Sequence, residues 1–400
     1  MLERPLFPAI LPTYNRSTIA FEKGEGAYLF ATDGKRYLNF ASGIAVTALG
    51  HSHPHLVKAL IEQGQKLWHC SNIFTIPGQE RMAQRMVAAS FADSVFFCNS
   101  GAEAVECAVK IARKYQHETG HPEKYRIICM NNAFHGRTLT TIFAGGQEKH
   151  TKGFGPEVPG FDHVAFGNMN ELRAKITPET GGIMVEPIQG EGGIAAASSD
   201  YMRALRQVAD EYGLLLIFDE VQCGMGRTGK LFAHEWSGVT PDICATAKGI
   251  GGGFPLGACL ATEKAAKGMT AGTHGSTYGG NPLAMAVGNA VLDVVLAPGF
   301  LENVVKMGGY LRHRMEKLIA ARGNIFVEPR GQGLLAGLRC ADKVNSVDMV
   351  ARLREAGLLT VGAGQNVVRL APPLIVAEQH IDEAMAILDQ VAATWKMAAE

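Results

Sequence analysis

Between Ser94 and about Ala261, short apolar runs alternate with stretches whose apolar residues recur at helical spacing. Val95–Cys98, Arg126–Met130, Ile183–Val185, Leu214–Phe218, Ile243–Ala245 and Leu256–Leu260 read as strands. Helices are predicted from about Ala102 to Tyr115 and from Tyr201 to Tyr212, the second with Asp200 as N-cap and Gly213 as its stop. Leu214–Phe218 is apolar throughout, without the alternation of a strand that has one wet face. Such strands belong to parallel sheets covered on both sides. Strand and helix in alternation predict an α/β fold with a large doubly wound domain and a mainly parallel sheet.

Two long helical stretches come next, and after the second the pattern changes. Long helical stretches at Pro282–Val295 and Leu301–Ala321 flank a Pro298-Gly299 break. Strands at Ile325–Glu328 and Leu334–Arg339, a helix at Ser346–Ala356 and a last helix from about Glu378 to Trp395 follow. This predicts a smaller α+β domain. The expected division is an N-terminal segment (1–50) packing with the small domain, a large domain (51–300) and a small C-terminal domain (301–400). There is no internal repeat.

Charged residues make up 19% of the chain and hydrophobic ones 47%. Against roughly 25% charged in ordinary soluble proteins, that implies a large core, a large subunit interface, or both. Lys plus Arg equals Asp plus Glu at 38 each, so nothing recruits nucleic acid or an anionic membrane in bulk. No stretch approaches the ~20 apolar residues of a membrane-spanning helix. The opening MLERPLFPAILPTYN, with mixed charges and three prolines, does not read as a signal peptide. The eight cysteines are scattered without CxxC spacing; free thiols of a cytoplasmic protein explain them better than disulfides or a zinc site. No metal site is expected.

Ligands of open α/β sheets collect beyond the carboxyl ends of the strands, so chemistry is sought there. The first strand is followed by Asn99-Ser100-Gly101-Ala102-Glu103, where Ser100 and Glu103 form a capping box and the free amides could hold a phosphate. An ordinary helix cap looks the same. The second strand leads to Phe134-His135-Gly136-Arg137, suited to stacking on a flat ring and to binding a carboxylate, or simply to packing on the core. Glu186 to Gly193 places two carboxylates in a glycine-rich turn. Asp219, straight after the apolar strand, is costly unless paired; a protonated ring nitrogen would pair it, as would a structural ion pair. Lys248 before Gly249 could be a nucleophilic amine if its pKa is lowered; alone it would be a solvated turn lysine. Gly224-Met225-Gly226-Arg227-Thr228-Gly229 satisfies GxGxxG, but Leu231 stands where a P-loop needs Ser or Thr, and no long helix follows. Nucleotide binding is not expected.

Seven segments in order, NSGAEA, AFHGRT, EPIQGEGG, DEVQCGMGRTG, ATAKGIGGGFPLGA, HGSTYGGNPLA and VVRLAPPL, resemble the class III (ω-amino acid) aminotransferases of fold-type I along nearly the whole chain. The resemblance implies pyridoxal 5′-phosphate (PLP) as cofactor, carried by Lys248 as a Schiff base. It also implies that Gly101 and Ala102 bind the phosphate through their backbone, Phe134 and Val221 cover the two ring faces, Asp219 pairs with the ring nitrogen and Gln222 contacts the ring hydroxyl. Glu220 is grouped with this cofactor-binding set. Thr277 is implied to reach the cofactor phosphate of a neighbouring subunit, hence a homodimer with shared sites. Arg137 and Ser276 are implied to bind the substrate's carboxylate end, with Tyr14 near the entrance. Arg369 is implied to meet the α-carboxylate of glutamate and Glu191 to neutralise it otherwise, although a fixed salt bridge fits the same residues. LPTYNR, GHSHP and SNIF narrow the resemblance to enzymes acting on N2-acetyl-L-ornithine and 2-oxoglutarate in arginine biosynthesis. Ornithine, succinylornithine, succinyl-diaminopimelate and 4-aminobutyrate are alternative donors, and an aminomutase or decarboxylase shares the fold. Ala102 departs from the family, where Thr is frequent.

Overall fold

The computed structural model describes residues 8–395; the first part of the expected N-terminal segment, with the start of its MLERPLFPAILPTYN opening, and the last residues of the small domain lie outside them. The central sheet has seven strands in the order Ser94–Cys98, Gly257–Ala261, Ile243–Thr246, Leu215–Asp219, Thr180–Val185, Arg126–Met130 and Phe161–Val164. All run parallel except Gly257–Ala261, which is antiparallel to both neighbours. The expected strand is there, but its direction could not be read from its apolar run. The reason for the reversal is length: a parallel return needs a crossover of about a dozen residues or more, and the link from Thr246 to Gly257 is too short.

Both faces of the sheet are covered, which explains the unbroken hydrophobicity of its strands. Leu215 and Ile217 pack with Val105 and Ala108 of the helix Gly101–Glu118. Leu216 and Phe218 pack on the opposite face with Leu205 and Val208 of the helix Ser199–Tyr212. That helix is capped by Ser198, whose hydroxyl accepts from the Tyr201 amide, and not by Asp200, which lies in the first turn. Gly213 ends it in the left-handed conformation (φ 64°) that glycine adopts without strain. The edge strand Phe161–Val164 was not foreseen; only its ends are apolar, and its Asp162 pairs with Arg126 at 2.8 Å.

Two smaller sheets flank this unit. Phe21–Glu25, Tyr28–Ala31 and Arg36–Asn39 are joined by Leu358–Leu359 from the far end of the chain. Phe326–Gln332, Leu335–Cys340, Val367–Leu370 and Val361–Ala363 form the other, backed by the helices Phe300–Ala321, Ser346–Glu355 and Glu378–Ala393. Leu38, Val304, Leu338, Val368 and Leu388 share one buried core across these pieces. Among the described residues no single helix is long and apolar enough to cross a membrane.

Candidate active site

The carboxyl ends of five parallel strands meet at one edge of the large sheet. Their following turns enclose a cavity of about 350 Å³, lined among others by Gly101, Phe134, Asp219, Val221, Gln222 and Lys248. Ala102 and Glu191 line it too. These residues are far apart in sequence and are united only because the strands are parallel.

Lys248 opens a single helical turn with φ 50°. A left-handed conformation costs a residue with a Cβ roughly 1–2 kcal/mol, and strain of this kind clusters where a side chain must be aimed. Its ammonium makes no hydrogen bond or ion pair among the described residues. Burial, helped by the charge of Arg369, lowers its pKa to about 8 against the opposing pull of Glu191, Asp219 and Glu186. An amine with a lowered pKa, held free in a cavity, is poised for nucleophilic and proton-transfer chemistry.

Asp219 is buried and fixed on both oxygens. Oδ2 lies 2.7 Å from His135 Nδ1, and Oδ1 accepts from the Val221 amide at 3.0 Å. Burial disfavours the charged imidazole, but the hydrogen bond and charge of Asp219 outweigh it and raise the His135 pKa. Glu186 stands beside them, accepting from the amides of Phe134 at 2.7 Å and Gly190 at 3.0 Å. Its burial pushes its pKa up to about 7. His135 and Glu186 were not among the predicted site residues. Their partners lie many residues away, and the only local signal was a polar pair in otherwise packed turns.

Ser100 caps the helix Gly101–Glu118, accepting from the Glu103 amide at 3.3 Å, while Glu103 accepts from the Asn99 amide at 2.7 Å. The helix start therefore faces the cavity with its first amides free of side-chain partners and its dipole pointing in. A Cβ on Gly101 would come within 2.6 Å of the Val221 side chain, so glycine is needed for that wall to close.

At the other end Arg369, almost fully buried, meets Glu191 at 2.5 Å and donates to Gly190 O at 3.0 Å and Gln222 Oε1 at 2.9 Å. Its Nη2 is buried without a partner among the described residues. Burial alone would raise the Glu191 pKa, yet the Arg369 charge holds it below the usual carboxylate range.

The remaining predicted residues lie outside this cavity. Glu220 is a correction: it points to the opposite side from Asp219, as successive residues of extended chain do. Its carboxylate is taken up by His234 Nδ1 at 2.8 Å and by the amides of Ala233 and His234. It supports the turn and contacts nothing in the cavity. Arg137 is exposed, its guanidinium 5.5 Å from the Phe134 ring centroid. Ser276 Oγ accepts from Asn99 Nδ2 at 3.2 Å and from the Gly279 amide at 2.9 Å, just behind the cavity wall. Thr277 and Tyr14 are exposed.

A fold of this kind with a lysine, a buried aspartate and a helix N-terminus converging at its strand ends defines a class of protein, and comparison agrees. The chain belongs to the aminotransferase class-III family, which it matches over residues 11–392; it is a PLP-dependent aminotransferase. More particularly, it is 60% identical over 373 residues to the acetylornithine aminotransferase of Brucella melitensis, covering 93% of this chain and 92% of that one. Among solved structures it resembles N-acetylornithine aminotransferase from Stenotrophomonas maltophilia (TM-score 0.84, 36% identity, 95% of this chain and 97% of that one). It also resembles the ornithine aminotransferase of Toxoplasma gondii (TM-score 0.92, 30% identity, 96% and 92%).

Proposed function

We propose that this enzyme transfers the distal amino group of N2-acetyl-L-ornithine to 2-oxoglutarate, giving N-acetyl-L-glutamate 5-semialdehyde and L-glutamate in arginine biosynthesis. The observation that carries the reading is a free Lys248 amine between a fixed carboxylate, Asp219, and the Glu191–Arg369 pair. The high identity to an acetylornithine aminotransferase supports the choice of donor.

The residues fit PLP. Backbone amides at Gly101 and Ala102 suit its phosphate, Phe134 and Val221 its two faces, Asp219 its ring nitrogen, Gln222 its hydroxyl and Lys248 its carbonyl carbon. Bound there, PLP supplies a carbonyl for amine exchange and an electron-withdrawing ring. The chain does the rest. Lys248 Nζ, kept partly neutral near pH 8, takes a proton from the amine-bearing carbon and returns it elsewhere. Asp219, held in place by its 2.7 Å hydrogen bond with His135 Nδ1, keeps a ring nitrogen protonated. Arg369 pairs with the α-carboxylate of glutamate when Glu191 swings aside, and Glu191 covers that charge when acetylornithine, whose reacting carbon has no carboxylate, is bound. Arg137 and Ser276 hold the substrate's far end, and Tyr14 stands by the entrance.

The proposal includes a cytoplasmic homodimer in which Thr277 completes the partner's phosphate site. Thr277 sits beside the exposed Tyr278, and Asn72 Nδ2 ties the 71–74 segment, with its exposed Ile73 and Phe74, to the carbonyls of Ser276 and Gly279. That apolar surface suits a subunit interface. The division at residues 50 and 300 is proposed with it. The likeness to an ornithine aminotransferase makes ornithine the second reading.

The test is a panel of acetylornithine, ornithine, succinylornithine, succinyl-diaminopimelate and 4-aminobutyrate with 2-oxoglutarate, following glutamate formation. The highest kcat/KM is expected for acetylornithine. A higher value for ornithine would replace the donor.

A further inference from the structure

The glycine-rich Gly224–Gly229 run, which has no part in the chemistry above, carries a buried arginine. Arg227 is 1% exposed, and its Nη1 donates to the carbonyl oxygens of Pro372 and, at 3.4 Å, Leu334. Its Nη2 is buried with no partner among the described residues. Burial draws its pKa down to about 9, so it stays charged at neutral pH. A buried charge without a counter-ion is costly, and an apolar side chain of similar volume commonly packs better. Packing alone therefore does not account for an arginine here.

Its neighbours do. The turn from Asp219 to Arg227 touches the segment from Arg369 to Pro372 at both ends. Gln222 Oε1 accepts from Arg369 at 2.9 Å at one end, and Arg227 donates to Pro372 O at the other. Arg227 O also accepts from the Leu334 amide at 3.0 Å, and a Cβ on Gly333 would lie 2.7 Å from Thr228 Cα. Leu334 leads into the strand Leu335–Cys340, whose Gly337 pairs with Arg369. The guanidinium thus spans from the turn that carries Asp219, Val221 and Gln222 to the sheet that carries Arg369.

We infer that Arg227 is a positioning residue for Arg369, setting where that side chain lies behind Glu191 at the cavity wall and so tuning the enzyme toward substrates with a carboxylate on the reacting carbon. The inference rests on the reading that Arg369 meets such a carboxylate. Donors without one, such as acetylornithine, depend on it less.

The test uses holoenzyme carrying Arg227→Met or Arg227→Lys. Glutarate, a dicarboxylate that cannot accept an amino group, is titrated by calorimetry alongside half-reaction kinetics. For Arg227→Met the glutarate Kd and the KM for 2-oxoglutarate should rise roughly tenfold or more. The acetylornithine half-reaction should change by less than about threefold, with no fall in thermal midpoint. Arg227→Lys, which keeps one donor for the carbonyls, should lie between Met and wild type. An unchanged glutarate Kd overturns the inference. So does an equal loss in both half-reactions, or failure of both variants to fold, because either would make Arg227 a stability element. A wild type that ignores acetylornithine but uses another ω-amine donor would instead overturn the donor, leaving the glutarate comparison to decide Arg227.

Discussion

Each end of the cavity is lined by a paired carboxylate, Asp219 or Glu191, yet the two pairs are built differently. At one end Asp219 and His135, 2.7 Å apart, are 4% and 0% exposed and sit on turns of the same sheet. At the other, Arg369 is 2% exposed but its partner Glu191 is 28% exposed, and the pair bridges a turn of the large sheet to a strand of a smaller one. The first pair is locked by Val221 and by neighbouring Glu186. The second can part at the price of moving one partly wet carboxylate. A charge that is needed at every step belongs in the first kind of site, and one needed for only one of two substrates belongs in the second.

The largest effect comes from removing what lies between the two ends. Lys248→Ala is expected to lower kcat by on the order of 10⁴-fold or more, since nucleophile and proton carrier go together; turnover near the wild-type rate overturns the assignment. Lys248 also predicts a pH dependence of stability in protein freed of cofactor. Its folded pKa, about 8, lies below the ordinary lysine value. The unfolded chain therefore binds more protons between the two, and wild-type stability rises with pH across that window. Lys248→Met should be more stable than wild type below pH 8, the gap closing as pH rises toward the ordinary lysine range. Urea titrations at several pH values measure it.

Asp219→Asn breaks the locked end. With the charge gone, His135 loses the interaction that outweighs its burial, so its pKa should fall, as NMR of the ring nitrogens would show. Turnover should drop roughly 10²–10⁴-fold with both donors alike. A loss confined to one donor would erase the distinction between the two ends. Glu191→Ala breaks the mobile end and should do the opposite. It leaves Arg369 unpaired when acetylornithine is bound, so that half-reaction should weaken about 10–100-fold while glutamate changes less than about threefold. An unchanged preference between the donors would make the pair a fixed salt bridge.

The same contrast explains what could be read from the chain. Leu214 to Phe218 announced a strand covered on both faces, and Asp219 stood out because a charge directly after such a run needs a partner. The identity of that partner was hidden, since His135 comes from another turn and only the parallel order of strands brings it near. Glu220 was misplaced for a related reason: adjacent residues look equivalent in a motif, although an extended chain turns them to opposite sides. Periodicity located Gly257–Ala261 but carries no direction. Arg227 sits in a run that matches GxGxxG without the context of a nucleotide site, and its contacts with Leu334 and Pro372 exist only once the second sheet is folded against the first.

The smallest effect expected is at the third corner, the capped helix start. Ser100 Oγ accepts from the Glu103 amide at 3.3 Å, a long contact, while Glu103 keeps its own bond to the Asn99 amide at 2.7 Å. Half of the reciprocal cap therefore survives Ser100→Ala. The loss should fall at the lower end of the cap range, about 0.5–1 kcal/mol, read from urea denaturation with an unchanged m-value. Because those amides face the cavity, cofactor affinity should fall with stability while the ratio of acetylornithine to glutamate rates stays constant. A change in that ratio would mean that the helix start takes part in telling the two substrates apart, and would move it from the locked side of the site to the mobile one.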